Sequence, residues 1–396
     1  MSRVRTTHVG SLPRTPQLLE ANEKRHAGTI SDEDFAAVLA EAADEVVAKQ
    51  AAIGLDIVNE GEYGHITSGK VDYGAWWNYS FSRLGGLELT DEDRWEDTSD
   101  IRSEPGKIRL TSFTHRRDWS RFSDAYTDPT SGILANRAHV KNPKIVAPLT
   151  YIGQDAVATD IRLLLHGLER AGKPASDGFL AALSPGSCAR IANDYYATDE
   201  EVVWACADAL KEEYKAITDA GLTVQIDDPS IAEAWDQIQP EPTVEDYRDF
   251  IQIRIDALNH ALEGIPREQV RFHVCWGSWH GPHTTDIPLK NIVDKVLQVH
   301  AGAITFEAAN ARHEHEWTVW RDIDIPDDLV LIPGMVSHST NVVEHPELVA
   351  QRIRHFTDIV GKDRVIASTD CGLGGRIHRD IAWAKLETLV AGAKLV

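Results

Sequence analysis

Short β-branched runs recur along the chain, each ending in polar residues and most followed by a stretch with helical spacing. Nine stand out: Thr6–Val9, Leu55–Val58, Lys144–Ala147, Phe179–Leu183, Leu222–Ile226, Val270–Val274, Ala303–Phe306, Leu329–Ile332 and Arg364–Ala367. Apolar residues at helical spacing predict helices over Thr198–Ala220, Thr243–Leu262, Leu289–Ala301 and Pro346–Val360. Thr198 with Glu201 three residues on is an N-terminal capping signal, and Gly221 is a stop. Strands alternating with helices predict a parallel sheet. Eight such units close a TIM (β/α)8 barrel of about 250 residues before insertions. The expected class is therefore α/β, a single TIM (β/α)8 barrel domain over residues 1–396. Nine runs are one too many, and Lys144–Ala147 is the run placed outside the ring.

Residues from about 84 to 137 break the rhythm. The segment is acidic over Asp91–Asp100, then basic and aromatic over His115–Arg121, with Pro105, Pro129 and several glycines. It reads as an insertion after the second strand unit, an excursion over the barrel mouth. Long loops in compact domains are often functional.

Composition narrows the classes. Apolar residues make up 42% of the 396 and charged residues 26%, the balance of an ordinary globular protein. No window approaches the run of about 18 apolar residues that a membrane helix needs. The start, Met1-Ser2-Arg3-Val4-Arg5, lacks an apolar signal core, so a cytoplasmic location is expected. A net charge of −22 repels phosphate backbones and anionic membranes, so neither nucleic acid nor membrane is an expected partner. The surface leaves room for a homo-oligomer. Four cysteines, Cys188, Cys206, Cys275 and Cys371, are too few for a disulfide framework in so long a chain. A special cysteine here would be a ligand or a nucleophile.

Functional side chains of a TIM barrel gather at the C-terminal ends of its strands. Ser11, Glu62, Asp227, His273, Cys275, Glu307 and Cys371 end the strand runs. His273-Val274-Cys275 puts an imidazole and a thiol two residues apart in an extended segment, on one side of the strand. Alone, that pattern also fits a core histidine beside a buried cysteine. With Glu307 and Cys371 at other strand ends it becomes a set of four groups that all bind zinc. The scattered spacing suits a catalytic site better than a zinc finger. Cys206 falls inside a helix and reads as packing.

At these residues the chain resembles the cobalamin-independent methionine synthase family, specifically its C-terminal catalytic barrel, and the related epoxyalkane:coenzyme M transferases. The motifs that carry the resemblance, in order, are Thr7-His8-Val9-Gly10-Ser11-Leu12-Pro13, Gly54-Leu55-Asp56 through Gly61-Glu62, and Ile226-Asp227-Asp228-Pro229. His273-Val274-Cys275, Ile304-Thr305-Phe306-Glu307 and Asp370-Cys371-Gly372 complete it. The resemblance implies Zn2+ held by His273, Cys275, Cys371 and, at rest, Glu307. It implies that Ser11, Glu62 and Asp227 hold the amino-acid part of homocysteine, and that His338 transfers a proton. Residues Asn310–Trp317 are expected to supply partners to the site, with His313 and His315 in a solvated loop. The folate-stacking tryptophan of the family is replaced near Ala189–Tyr196, which leaves the methyl donor open.

The implied activity is zinc-dependent alkyl transfer to a small-molecule thiol, foremost methyl transfer to homocysteine. An epoxide opened by the thiolate of coenzyme M is the alternative, with Arg14, Arg312 and Arg376 as candidates for its sulfonate. A zinc-stabilised barrel that binds a thiol metabolite without turnover is the non-enzymatic reading.

Overall fold

The computed structural model describes residues 3–65, 75–90, 101–133 and 142–396. The acidic run Asp91–Asp100 and the far end of the expected excursion, 134–137, lie outside the described residues. Ten strands are present among the described residues: β1 (Arg5–Thr6), β2 (Leu84–Thr90), β3 (Asn142–Tyr151), β4 (Phe179–Leu183), β5 (Ala192–Asn193), β6 (Thr223–Asp228), β7 (Val270–Val274), β8 (Ala303–Phe306), β9 (Val330–Val336) and β10 (Ile366–Thr369). Seven form one parallel sheet in the order β1-β10-β9-β8-β7-β6-β4. Its strands are buried on both faces, as parallel strands under helices are.

The sheet is curled. Arg271 on β7 donates across the interior to Thr7 Oγ1 (3.2 Å) and to the His8 carbonyl (2.6 Å) beyond β1. Gln225 on β6 reaches the Val9 carbonyl in the same way. The expected eight-stranded closed ring is therefore corrected to a seven-stranded half-barrel. Leu55–Val58 is not a strand: it makes one isolated bridge, Val58 to Gly178. The cause is local. Asp56 Oδ2 accepts the Thr6 N–H (2.8 Å), which a neighbouring carbonyl would otherwise take. Both Asp56 N and Ile57 N then converge on one acceptor, the Thr6 carbonyl. On its other side the segment exchanges Val58 N to Asp177 O and Phe179 N to Val58 O.

Helices Asp32–Ile53, Asp199–Asp219, Val244–Ala261 and Pro346–Val360 begin at side-chain caps from Ser31, Thr198, Thr243 and His345. The helix expected over Leu289–Ala301 is reduced to a 3-10 turn, Leu289–Asn291, and one α turn, Val293–Val296. Ile292, at φ −130°, separates them, and Arg248 takes the Asn291 carbonyl that a continuous helix would use. Among the described residues no helix is long and apolar enough to cross a membrane.

A second sheet, β2-β3-β5, holds the Lys144–Ala147 run outside the main sheet. Residues 103–118 lie along the loop that follows β6: Ser103 N bonds Gln239 O, Thr111 N bonds Gln237 O, and Asp118 N bonds Asp236 Oδ1.

Candidate metal centre

His273 and Cys275 leave the end of β7 on one side, and Cys371 follows β10 by two residues. The Cys275 and Cys371 sulfurs are 3.9 Å apart. One donor atom from each of His273, Cys275 and Cys371 lies within 4.8 Å of the other two, all buried. Neither ring nitrogen of His273 has a hydrogen-bond partner other than the neighbouring Cys371 sulfur. A buried polar group left unpaired costs about 1–3 kcal/mol and is rare, so a buried imidazole whose ring nitrogens meet no oxygen or nitrogen partner beside two sulfurs fits a metal. The sulfurs are asymmetric. Cys275 is pushed well up, first by donating to the Cys371 sulfur and then by burial. Cys371 is drawn well down by accepting that bond, with Arg376 and His273 assisting. Burial opposes a proton on His273, but Cys371, Asp227 and Glu307 together raise its pKa. The Gly277 N–H points at Cys275 Sγ (3.3 Å).

Glu307, His338 and Asp370 form a second buried group within the same 4.8 Å limit. Glu307 is thus grouped with these two rather than with the sulfurs, although its charge acts on Cys275 and His273. Its two oxygens accept from Trp276 N (3.1 Å) and Asn310 Nδ2 (2.6 Å), and burial pushes the carboxyl up to about 8. Asp370 accepts from Ala308 N and Ala309 N, 2.8 Å each, and from Asn310 Nδ2 (3.2 Å). Burial brings the His338 imidazole down to about 3, so the ring is neutral at physiological pH. The turn holding it is fixed by Glu344, which accepts from Ser337 N (2.8 Å) and pairs with the buried Lys385 (2.8 Å).

Ser11, Glu62 and Asp227 adjoin this region. The Ser11 carbonyl accepts from Leu373 N (2.8 Å) and Gly374 N (3.0 Å), just past Cys371, and its hydroxyl from Arg376 Nη1 (3.3 Å). Ser11 and Asp227 are partly exposed, whereas Glu62 is buried against Gly10. Glu62 sits at φ +58°, a left-handed conformation that costs a non-glycine residue about 1–3 kcal/mol and clusters at functional sites. Burial and the neighbouring Asp227 raise its carboxyl well above the usual range. Burial pushes Asp227 up to about 6 against the pull of His273.

The profile of the family described as the cobalamin-independent synthase, catalytic domain, matches residues 4–73 and 177–395. The chain belongs to the cobalamin-independent methionine synthase family. Its similarity to the methionine synthase of Thermococcus kodakarensis is 23% identity over 398 residues, covering 99% of this chain and 93% of that one. The 2-hydroxypropyl-CoM lyase of Xanthobacter autotrophicus is 26% identical over 231 residues, 51% of this chain and 56% of the lyase. Among solved structures, a B12-independent methionine synthase from Shewanella sp. W3-18-1 in complex with selenomethionine superposes with a TM-score of 0.68 at 18% identity, covering 100% of this chain and 98% of that one. That likeness concerns the fold.

Within this member of the methionine synthase family, two features are not evident from the sequence, the role of Asp370 and the burial of His313. Asp370, whose only signal was its place beside Cys371, joins Glu307 and His338. Asn310, in the run expected to supply partners to the site, bridges Glu307, three residues before it, and Asp370. His313 is not in a solvated loop as expected, although His315 is exposed. It is buried, stacks on Trp276 at 4.3 Å, and bonds Asp286 (3.1 Å) and Glu316 (2.8 Å). Burial opposes its charge, but those two carboxylates raise it to about 10.

Proposed function

We propose that this protein is a zinc-dependent alkyltransferase acting on a thiol, and that its reaction is methyl transfer to homocysteine, giving methionine. Membership of the catalytic-domain family and two clusters of candidate metal donors support metal-assisted transfer chemistry. The observation that carries the zinc reading is the buried trio His273, Cys275 and Cys371, whose imidazole has no other partner. One nitrogen and two sulfurs are a donor set that suits zinc and leaves coordination open for a substrate. When bound there, zinc would supply a Lewis acid that ionises a thiol at neutral pH.

The chain's own residues do the rest. Glu307, oriented by Trp276 N–H and Asn310, would be the fourth residue to hold the metal at rest. Glu62 and Asp227 bind the ammonium group of homocysteine, and Ser11 with Arg376 binds its carboxylate. His338, a neutral imidazole, relays a proton: one ring nitrogen donates to the departing group while the other takes up the proton that the thiol releases. We read the whole chain as one barrel domain, with the 56–58 segment standing in for the second strand and the described residues 101–133 of the insertion lying over the mouth.

The named relatives support homocysteine as acceptor, since several methionine synthases match along nearly the whole chain. A second reading, coenzyme M with an epoxide, is favoured by the lyase match and by Arg376 at Ser11, a cation suited to a sulfonate. The test is product analysis with homocysteine and coenzyme M, each crossed with methyl-folate, methylcobalamin and small epoxides, with and without zinc. Zinc-dependent methionine supports the first reading, a zinc-dependent thioether of coenzyme M the second, and zinc-independent product neither.

A further inference from the structure

The loop that follows Cys275 is held by a part of the chain that the family profile leaves unmatched, residues 74–176. Trp279 lies across Gly277, where φ is +90° and a Cβ would collide with the indole. The same glycine donates its N–H to the Cys275 sulfur, so indole, glycine and sulfur are in direct succession. Trp279 Nε1 donates to Tyr126 Oη (2.8 Å), and the Tyr126 hydroxyl donates to Asp118 Oδ2 (2.8 Å). Asp118 is fully buried. Its carboxylate also accepts from His283 N (3.2 Å), Thr284 N (2.9 Å) and Thr284 Oγ1 (2.8 Å). His283 and Glu62 are the two non-glycine residues with positive φ among the described residues, and His283 stands at +54°. Successive N–H groups closing on one carboxylate hold such a conformation.

We propose that Asp118 and Tyr126 are positioning residues of the metal centre. They pin the loop from Trp276 to Thr284, press Trp279 onto Gly277, and so keep the Gly277 N–H on the Cys275 sulfur. Partners that orient a ligand from behind tune both metal affinity and ligand geometry. The inference rests on the metal reading above for its consequence, though not for its geometry.

The test compares Tyr126→Phe and Asp118→Asn with Tyr151→Phe, which removes another buried hydroxyl, one bonded to Glu213 in the second sheet. Two quantities are measured: zinc affinity by chelator competition, and the rate at which a thiol reagent labels Cys275 in metal-free protein, mapped by mass spectrometry. Tyr126→Phe and Asp118→Asn are expected to weaken zinc binding about three- to tenfold, at or below the low end of what removing a direct partner of a ligand does. Both are expected to speed Cys275 labelling by a similar factor, and Tyr151→Phe to do neither. Equal behaviour of all three variants in both measurements overturns the proposal. Should the wild type take up no zinc, the metal reading fails, and the labelling rates alone decide whether Asp118 and Tyr126 hold Cys275. If Asp118→Asn does not fold, Tyr126→Phe, which loses a single hydroxyl, decides the matter alone.

Discussion

Asp227 and His273 are register partners on the neighbouring parallel strands β6 and β7. Paired positions on adjacent strands project to the same side, so a partly exposed carboxylate stands beside the imidazole of the metal trio. In the proposed reaction one small molecule places its ammonium on Asp227 and Glu62 and its sulfur at the trio.

That geometry makes the carboxylates separable from the chemistry. Asp227→Asn and Glu62→Gln are each expected to raise KM for an amino-acid thiol by about 10–100-fold, the loss of a charged hydrogen bond worth about 1.5–3 kcal/mol. Zinc content is expected to stay at the wild-type level. A cation needs the ionised carboxylate; Glu62 is raised well above the usual range and Asp227 to about 6, so wild-type KM should rise as pH falls, first with Glu62 and then through about 6. Steady-state kinetics against pH check both statements. An unchanged KM in both variants removes the two residues from substrate binding.

The metal trio predicts a different pattern. Cys275→Ser and Cys371→Ser are expected to lose bound zinc, measured by elemental analysis, while circular dichroism stays native. The sheet and its apolar core do not depend on the trio, so chelation should lower Tm without unfolding the protein. A ligand present at 100–1,000 times its Kd contributes about 3–4 kcal/mol, which for a chain of this size is under about 10 °C. Unfolding on chelation would mark a structural zinc instead.

Much of this arrangement was legible in the chain because parallel strands alternate side chains with period two and end in polar residues. His273-Val274-Cys275 could be placed on one side of one strand for that reason alone, and Glu307 and Cys371 could be placed at other strand ends. What periodicity does not carry is side-chain competition for the backbone. Asp56 takes the Thr6 N–H and reduces an expected strand to a single bridge. Arg248 on the Asn291 carbonyl marks the break in an expected helix. Asn310 lay in the run expected to supply partners to the site, but Asp118 was illegible for a related cause: it serves Thr284, far away in sequence.

Glu60 offers a test of the buried charge at the mouth that leaves the metal untouched. It is almost fully buried, one carboxyl oxygen has no partner, and burial, reinforced by Asp160, pushes it up to about 8. In the unfolded chain the same carboxyl ionises near 4.5. The stability its protonated form contributes is fully present below that value and is lost as pH rises through about 8. Thermal unfolding across this window should show Tm falling with pH, and Glu60→Gln, which mimics the protonated form, should flatten part of the fall. The gain at pH 8.5 is expected to be on the order of a few kcal/mol. A variant less stable than wild type at that pH would show that Glu60 is ionised and paired.

His338 is where burial and the proposed role meet. With its imidazole lowered to about 3, the ring stays neutral over the working range, and the proposed role is a relay that takes a proton on one nitrogen as it gives one from the other. His338→Gln is expected to lower kcat by about 100-fold or more, the range for losing a general acid–base group, with zinc content unaltered. Because the ring does not titrate near neutrality, the wild-type kcat profile should have no His338 break between pH 5 and 9, and the variant should keep the same shape at lower height. A break near the ordinary histidine value of about 6.5 that vanishes in His338→Gln would mean the imidazole takes up a proton from solvent during turnover. The turn held by Glu344 and Lys385 would then have to open in each cycle.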